Sequence, residues 1–351
     1  MQISREELAM DVRIVICGLG RVGRAFVGLL IQKDKDLRNR YGLKLKIVAA
    51  VDIGGAAVDP EGLPLQDLLA HLEKGGRVED MIGYGKKGFT GVEALTLGIA
   101  DLLVETTPTN IRDGEPAMTH IRTALGQGRH VVTAAKGPLV LRHKELKTLA
   151  EKAEVKLMIS AATAAALPTL DVGLSCLAGT EVLTAEGILN GTTNYILTRM
   201  YEDGCPYAEA LAEAQKMGVA EPDPSLDVEG RDTANKILLI ANEVFRAGLS
   251  LEDVSVEGIT KVKPEEIDRA KKEGKVIKLI GKVEKKEGKI VASVAPMALP
   301  WEHPLANVRG TEKAISYLTD TMDRVTVSGG KSNPLGAAAA ILKDIIRIYK
   351  G

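Results

Sequence analysis

Residues Val12 to Cys17 (VRIVIC) form an uninterrupted apolar run rich in β-branched side chains, and the run enters Gly18-Leu19-Gly20-Arg21-Val22-Gly23 without a spacer. Such a run suits a strand buried on both faces of a parallel sheet. Beyond the glycines, Val22, Ala25, Phe26, Leu29 and Leu30 recur at helical spacing and make one buried stripe. Strand, glycine turn and helix therefore follow one another as the dinucleotide fingerprint requires. Gly18 permits the tight turn, Gly20 lets the backbone approach a pyrophosphate, and Gly23 lets helix and strand pack closely. The N–H groups that open the helix, from Arg21 and Val22 onward, would face the phosphates. A tight βα turn without a ligand is the alternative.

Leu45 to Val51 (LKIVAAV) reads as a second buried strand ending in Asp52, where this fold places an acid on the adenosine ribose. Asp52 comes later than usual because the charged segment KDKDLRNRYG extends the connection. An acid here repels a 2′-phosphate and favours NAD over NADP. Arg21 works the other way, since a guanidinium pairs readily with phosphate. The balance favours NAD.

Ile53 to Leu65, rich in Gly and Pro, reads as loop. Asp67 to Gly75 reads as a helix, Gly91 to Gly98 as an auxiliary segment, and Ala100 to Glu105 as the next buried strand. Thr106, Thr107 and Pro108 follow that strand. Loops at the carboxyl ends of strands line the ligand crevice of a doubly wound sheet, so these three are expected near the cofactor; ordinary turn chemistry is the other reading. After a helix from Met118 to Leu125, the strand His130 to Thr133 ends at Ala134-Ala135-Lys136-Gly137. Lys136, just beyond a strand end and flanked by small residues, is placed to face a nicotinamide, although an isolated lysine is commonly a solvated charge. Lys147 to Ala153 reads as helix, Lys156 to Ser160 as strand, and Ala161 to Ser175 as a packed turn into a helix starting near Pro168.

From Val182 onward the strands alternate, as in KIVASV and VTVSG, with polar turns such as KKEGK between them. That pattern predicts a mainly antiparallel sheet with helices on one side. The apolar final helix, Ala337 to Tyr349, needs a partner and should return to the first lobe. The expected fold is α/β: a Rossmann-type doubly wound parallel sheet plus an α+β domain with a mainly antiparallel sheet. The expected domains are 1–135 for the dinucleotide, 136–325 as the second lobe, and 326–351 as the returning helix.

A formal net charge of −1 with interspersed signs gives no electrostatic reason to expect nucleic acid or an anionic membrane surface as partner. Cys17, Cys176 and Cys205 lack CxxC spacing, so no disulfide framework or metal site is expected. The N-terminus has no signal-peptide pattern, and no apolar run reaches the ~20 residues of a spanning helix. A cytoplasmic protein acting on small molecules is the expectation. Charge-rich stretches such as KVEKKEGK lean towards a heat-adapted source.

One further stretch, Gly187 to Lys236, concentrates short polar residues and acids between apolar segments. Asp232 and Lys236 are four residues apart at its end and share a helix face. A surface salt bridge of little energetic weight is the competing explanation.

Five segments carry a resemblance. Val104 to Ile121 (VETTPTNIRDGEPAMTHI), His130 to Leu141 (HVVTAAKGPLVL), Glu186 to Leu197 (EGILNGTTNYIL), Met217 to Lys236 (MGVAEPDPSLDVEGRDTANK) and Leu299 to Gly310 (LPWEHPLANVRG) resemble homoserine dehydrogenases. With the N-terminal fingerprint the resemblance spans nearly the whole chain. It implies interconversion of L-homoserine and L-aspartate 4-semialdehyde with NAD or NADP, and a homodimer formed through the catalytic lobe. It further implies that Lys136 and Lys236 flank the reacting carbon. Glu221, Asp227 and Asp232 fall on acids that bind the substrate's amino group or hold the second lysine, and Asn190, Gly191, Thr192 and Thr193 on a segment lining the substrate pocket. The chemistry suits these types: negative charge grows on a carbonyl oxygen as hydride arrives, and a positioned ammonium stabilises it and supplies the proton.

Three positions depart from the family. Ala135 stands where the family usually has Asn. In SAATAAALP (Ser160 to Pro168), Ser160 replaces a glutamate and alanines replace glycines in a turn that often holds a monovalent cation. GGKSNPLG (Gly329 to Gly336) replaces a glycine-rich segment near the cofactor. These changes leave open a dehydrogenase for another amino-acid semialdehyde or 4-hydroxy amino acid. A non-catalytic dinucleotide-binding sensor would not need Lys136, Asp232 and Lys236 together. Longer relatives carry an additional amino-acid-binding regulatory domain; no residues here are left to build one, so feedback inhibition through it is not expected.

Overall fold

The computed structural model describes residues 9–330 and 333–351. The chain packs as two compact units, one running up to Ala162 and resuming from Asn333 to Gly351, the other beginning at Thr163. In the first unit seven strands form one sheet: β1 (Met10–Cys17), β2 (Leu43–Asp52), β3 (Gly55–Val58), β4 (Gly85–Lys87), β5 (Leu102–Glu105), β6 (His130–Thr133) and β7 (Leu157–Met158). Their order is β4-β3-β2-β1-β5-β6-β7. The pairs from β2 to β7 are parallel, whereas β3 and β4 are antiparallel additions at one edge. Ile14 and Ile16 of β1 share a core with Phe26, Val27 and Leu30 of the helix Arg21–Tyr41, and with Ala338, Ile341 and Ile345 of the terminal helix Pro334–Lys350.

Several expectations need correcting. Gly55–Val58 is a fully buried strand inside the stretch read as loop, hidden because its glycine-rich flank makes the hairpin turn that pairs it with β2. Residues 136–162 belong to the first unit, not to the second lobe, because β7 extends the parallel sheet beyond β6. The helix expected from Lys147 begins eleven residues earlier, as Lys136–Lys152 with a non-helical break at Arg142. Ser160 opens the short helix Ser160–Ala164 and does not close a strand. Of the Gly329–Gly336 segment, Lys331 and Ser332 lie outside the described residues.

The second unit holds a six-stranded sheet of β8 (Val182–Ile188), β9 (Val254–Val256), β10 (Lys275–Lys286), β11 (Lys289–Pro300), β12 (Ala314–Thr319) and β13 (Arg324–Ser328), ordered β13-β12-β8-β10-β11-β9. Every pair is antiparallel except β9 with β11. Lys278 of β10 reaches Asn194 of the helix Gly191–Asp203, while Gly281, of opposite parity, faces Thr233 and Ile237 of the helix Arg231–Val244. Side chains alternate across a strand, so helices cover both faces of β10 and not one side of the sheet. Among the described residues no helix is long and apolar enough to cross a membrane.

Candidate active site

Four adjacent parallel strands, β2, β1, β5 and β6, deliver the first unit's candidate residues at their carboxyl ends. Gly18 has φ +92°, and a Cβ there would lie 2.6 Å from Thr107 N. A Cβ on Gly23 would lie 2.1 Å from Gly18 O. Both positions exclude any side chain by contact with the chain itself. Gly20 does not: a Cβ there meets nothing within 4 Å. Its backbone faces open space and caps the helix Arg21–Tyr41 with no side chain taking up the first N–H groups. A cradle of unsatisfied helix N–H groups under open space fits a dinucleotide pyrophosphate.

Neighbouring residues brace that turn. Thr106 Oγ1 donates to Gly18 O at 2.7 Å and Cys17 O at 3.1 Å, and Arg24 donates to Leu19 O and Leu72 O, each at 2.8 Å. Thr107 donates its N–H and hydroxyl to one oxygen of Glu105, whose other oxygen meets His120 Nδ1 at 2.8 Å. Pro108 and Arg21 are exposed, Val22 is half-buried, and Asp52 is exposed at the end of β2, accepting the N–H of Ile53. Lys136 begins its helix, with its N–H on Thr109 Oγ1 at 3.3 Å, and Ala135 is buried with its N–H on Thr133 Oγ1. Gly137 allows a close approach, since a Cβ there would fall 1.9 Å from Asn110 O.

Cys17, Glu105 and His120 bring three potential metal-binding atoms within 4.8 Å of one another. Glu105 already spends both oxygens on Thr107 and His120, and burial pushes the Cys17 thiol well up, so that it stays protonated. The cluster suits a hydrogen-bonded brace beneath the glycine turn better than a metal site. No residue spacing marks Glu105 and His120, whose one sequence signal is an acid closing an otherwise apolar strand.

In the second unit, the chain leaving β8 brings Asn190 to the start of the helix Gly191–Asp203. Its Oδ1 caps the helix by accepting from Thr193 N, and its Nδ2 donates to Asp227 Oδ1 at 2.7 Å and Asp232 Oδ2 at 3.0 Å. Asp232 Oδ2 also accepts from Lys236 Nζ at 2.5 Å, and Lys236 Nζ donates to Leu189 O at 2.7 Å. The side chains of Lys236 and Asp232 are only 12% and 16% exposed. Asn190, Asp227, Asp232 and Lys236 thus form one connected polar group, and Lys236 spends one N–H donor within it and a second on the Leu189 carbonyl.

Other expected residues serve differently. Thr192 Oγ1 donates to Val219 O and Thr193 Oγ1 to Asn190 O, so both hydroxyls hold backbone. Gly191 lets Thr311 O approach, a Cβ there lying 2.9 Å from it. Glu221 is exposed and is tied to Gln215 through its carbonyl oxygen, outside the connected group.

The residues at the family's cation turn do not fit an alkali ion. Ser160 offers a hydroxyl in place of a carboxylate, and its N–H (3.0 Å) and hydroxyl (2.8 Å) both donate to Asp344, which is fully buried. In the second unit the Ala164 carbonyl accepts from Lys313 Nζ at 2.6 Å.

Comparisons with known proteins point to one family. The homoserine dehydrogenase family model matches residues 168–346. A homoserine dehydrogenase of Methanocaldococcus jannaschii is 40% identical over 96% of this chain and 98% of its own length. An NAD(+)-dependent homoserine dehydrogenase of Pseudomonas canavaninivorans is 36% identical over 97% of each chain. A crystal structure from Archaeoglobus fulgidus, provisionally assigned to the same enzyme, superposes with a TM-score of 0.86 at 36% identity, covering 97% of this chain and 100% of that one. On family match, near full-length identity and fold together, the chain belongs to the homoserine dehydrogenase family.

Proposed function

We propose that Lys236 is the proton-transferring group in the NAD(P)-dependent interconversion of L-homoserine and L-aspartate 4-semialdehyde by this chain. The observation that carries this is the hydrogen-bonded group Asn190–Asp227–Asp232–Lys236, which fixes the lysine and leaves one N–H unspent among the described residues. In the oxidising direction the hydroxyl proton on C4 of homoserine passes to the neutral Lys236 amine while the C4 hydride departs, leaving the aldehyde. In reduction the ammonium returns that proton to the oxygen as hydride arrives. The nicotinamide, when bound, is the hydride carrier. Lys136 adds positive charge at the nicotinamide end, and its helix start is anchored on Thr109. Asp227 spends Oδ1 on Asn190 and turns Oδ2 to the substrate's α-ammonium, with Glu221 as a second acid.

Gly18, Gly20, Gly23, Arg21, Val22, Thr106, Thr107 and Pro108 form the dinucleotide side, and Asp52 selects NAD by hydrogen-bonding the ribose and repelling a 2′-phosphate. The name of the Pseudomonas relative agrees with that preference. The working enzyme is a cytoplasmic homodimer joined through its second unit. Initial rates of homoserine oxidation at alkaline pH with each cofactor test the reading: a higher kcat/KM with NAD is expected, and no turnover with either would refute it.

A further inference from the structure

Lys313 is 1% exposed, one of the most deeply buried charged side chains in the protein. Burying an amine is costly unless polar partners receive it. Its Nζ donates to the carbonyl oxygen of Ala164 at 2.6 Å. That carbonyl belongs to the turn that, by the family resemblance, often holds a monovalent cation, and it also accepts the N–H of Leu167 at 3.3 Å.

Ala165 holds φ +54°, a left-handed conformation that costs an alanine roughly 1–2 kcal/mol and a glycine little. The turn holds this left-handed bend with an alanine at the position. Gly330 packs on the same turn, a Cβ there lying 2.9 Å from Leu167 N, and Gly329 N donates to Lys313 O at 2.9 Å, fixing the lysine's backbone beside it. Tyr317 OH on Thr169 O (2.8 Å) and Thr163 Oγ1 against Thr169 Oγ1 (2.9 Å) secure the segment beyond. At 2.6 Å the Lys313–Ala164 contact is a short charge-assisted hydrogen bond.

We propose that Lys313 is a built-in replacement for the monovalent cation: its ammonium takes up the Ala164 carbonyl of that turn, and the enzyme works without sodium or potassium. A fixed ammonium supplies the charge, so no carboxylate is required from Ser160, whose hydroxyl is committed to Asp344.

The test compares the parent and Lys313→Ala in choline chloride and in potassium or sodium chloride at equal ionic strength, reading both kcat/KM and the thermal midpoint. The parent should change by less than about twofold in rate and by under about 1 °C between salts, since nothing is left for the ion to bind. Lys313→Ala should lose about tenfold in choline and regain most of it, with several degrees of midpoint, in about 100 mM potassium or ammonium chloride, as binding linkage requires. A parent that needs an alkali ion, or a folded Lys313→Ala that responds to salt no more than the parent does, would overturn the proposal. Should Lys313→Ala not fold, the parent's own salt comparison decides.

Discussion

Asp232 Oδ2 accepts from Lys236 Nζ at 2.5 Å across one helical turn, and the same oxygen accepts from Asn190 Nδ2 at 3.0 Å. A surface ion pair has no such second tether, and pairs of that kind contribute ~0.2–1 kcal/mol at most. Here the acid links the lysine to the end of β8. Asp232→Asn should therefore lower kcat by about 10–100-fold, the scale of a lost positioning contact, with cofactor affinity unchanged. Equal losses in kcat and cofactor binding would contradict this.

The three glycines of the fingerprint should separate by experiment. Gly23→Ala drives a Cβ to 2.1 Å from Gly18 O and should cost about 1–3 kcal/mol of stability through overpacking. Gly20→Ala meets no protein atom within 4 Å, and its φ of −71° suits alanine. That variant should keep the parent's thermal midpoint yet bind NAD about tenfold or more weakly, because the methyl group stands where phosphate comes close. Calorimetry of the two variants, free and titrated with NAD, distinguishes fold from binding.

Asp52 ends β2 in solvent, bonded only to the adjacent N–H of Ile53 among the described residues. Asp52→Ser should narrow the NAD-over-NADP ratio of kcat/KM by about tenfold, chiefly through a lower KM for NADP. An unchanged ratio would remove Asp52 from cofactor selection.

Lys278 lies buried on β10 with its Nζ on Val308 O (2.6 Å) and Asn194 Oδ1 (3.0 Å). Burial, aided by the positive charge of Arg309, lowers its pKa from 10.5 to about 8. Between those values the unfolded chain binds more protons than the native one, so stability from this group rises with pH. It is complete above 10.5 and lost as pH falls through 8. The gap in unfolding free energy between parent and Lys278→Met should shift in the parent's favour by about 3 kcal/mol from pH 7 to pH 10.5. Urea titrations at those two pH values measure it, and parallel pH curves would contradict it.

What could be read from sequence depended on how far apart the partners lie along the chain. The glycine turn and the Asp232–Lys236 pair are local, and strand–turn–helix order or four-residue spacing reveals them. Asn190 reaches Asp227 and Asp232 across 37 and 42 residues, and Ser160 reaches Asp344 across 184, so no periodicity marks them. The Leu189 carbonyl that completes the Lys236 setting is backbone and has no residue signature. The family resemblance brought in Asn190 and Asp227, but it also suggested Glu221, which lies outside the connected group. β3 stayed hidden because four residues between glycines carry too short a pattern to separate from a loop.

Lys236 carries the central claim, and Lys236→Ala tests it most directly in paired measurements of homoserine oxidation and NAD binding. With Lys236 as the proton-transferring group, kcat should fall about a thousandfold or more, at the upper end of general acid–base contributions, with the NAD dissociation constant within about threefold of the parent's. A variant that oxidises homoserine at a rate close to the parent's would contradict it.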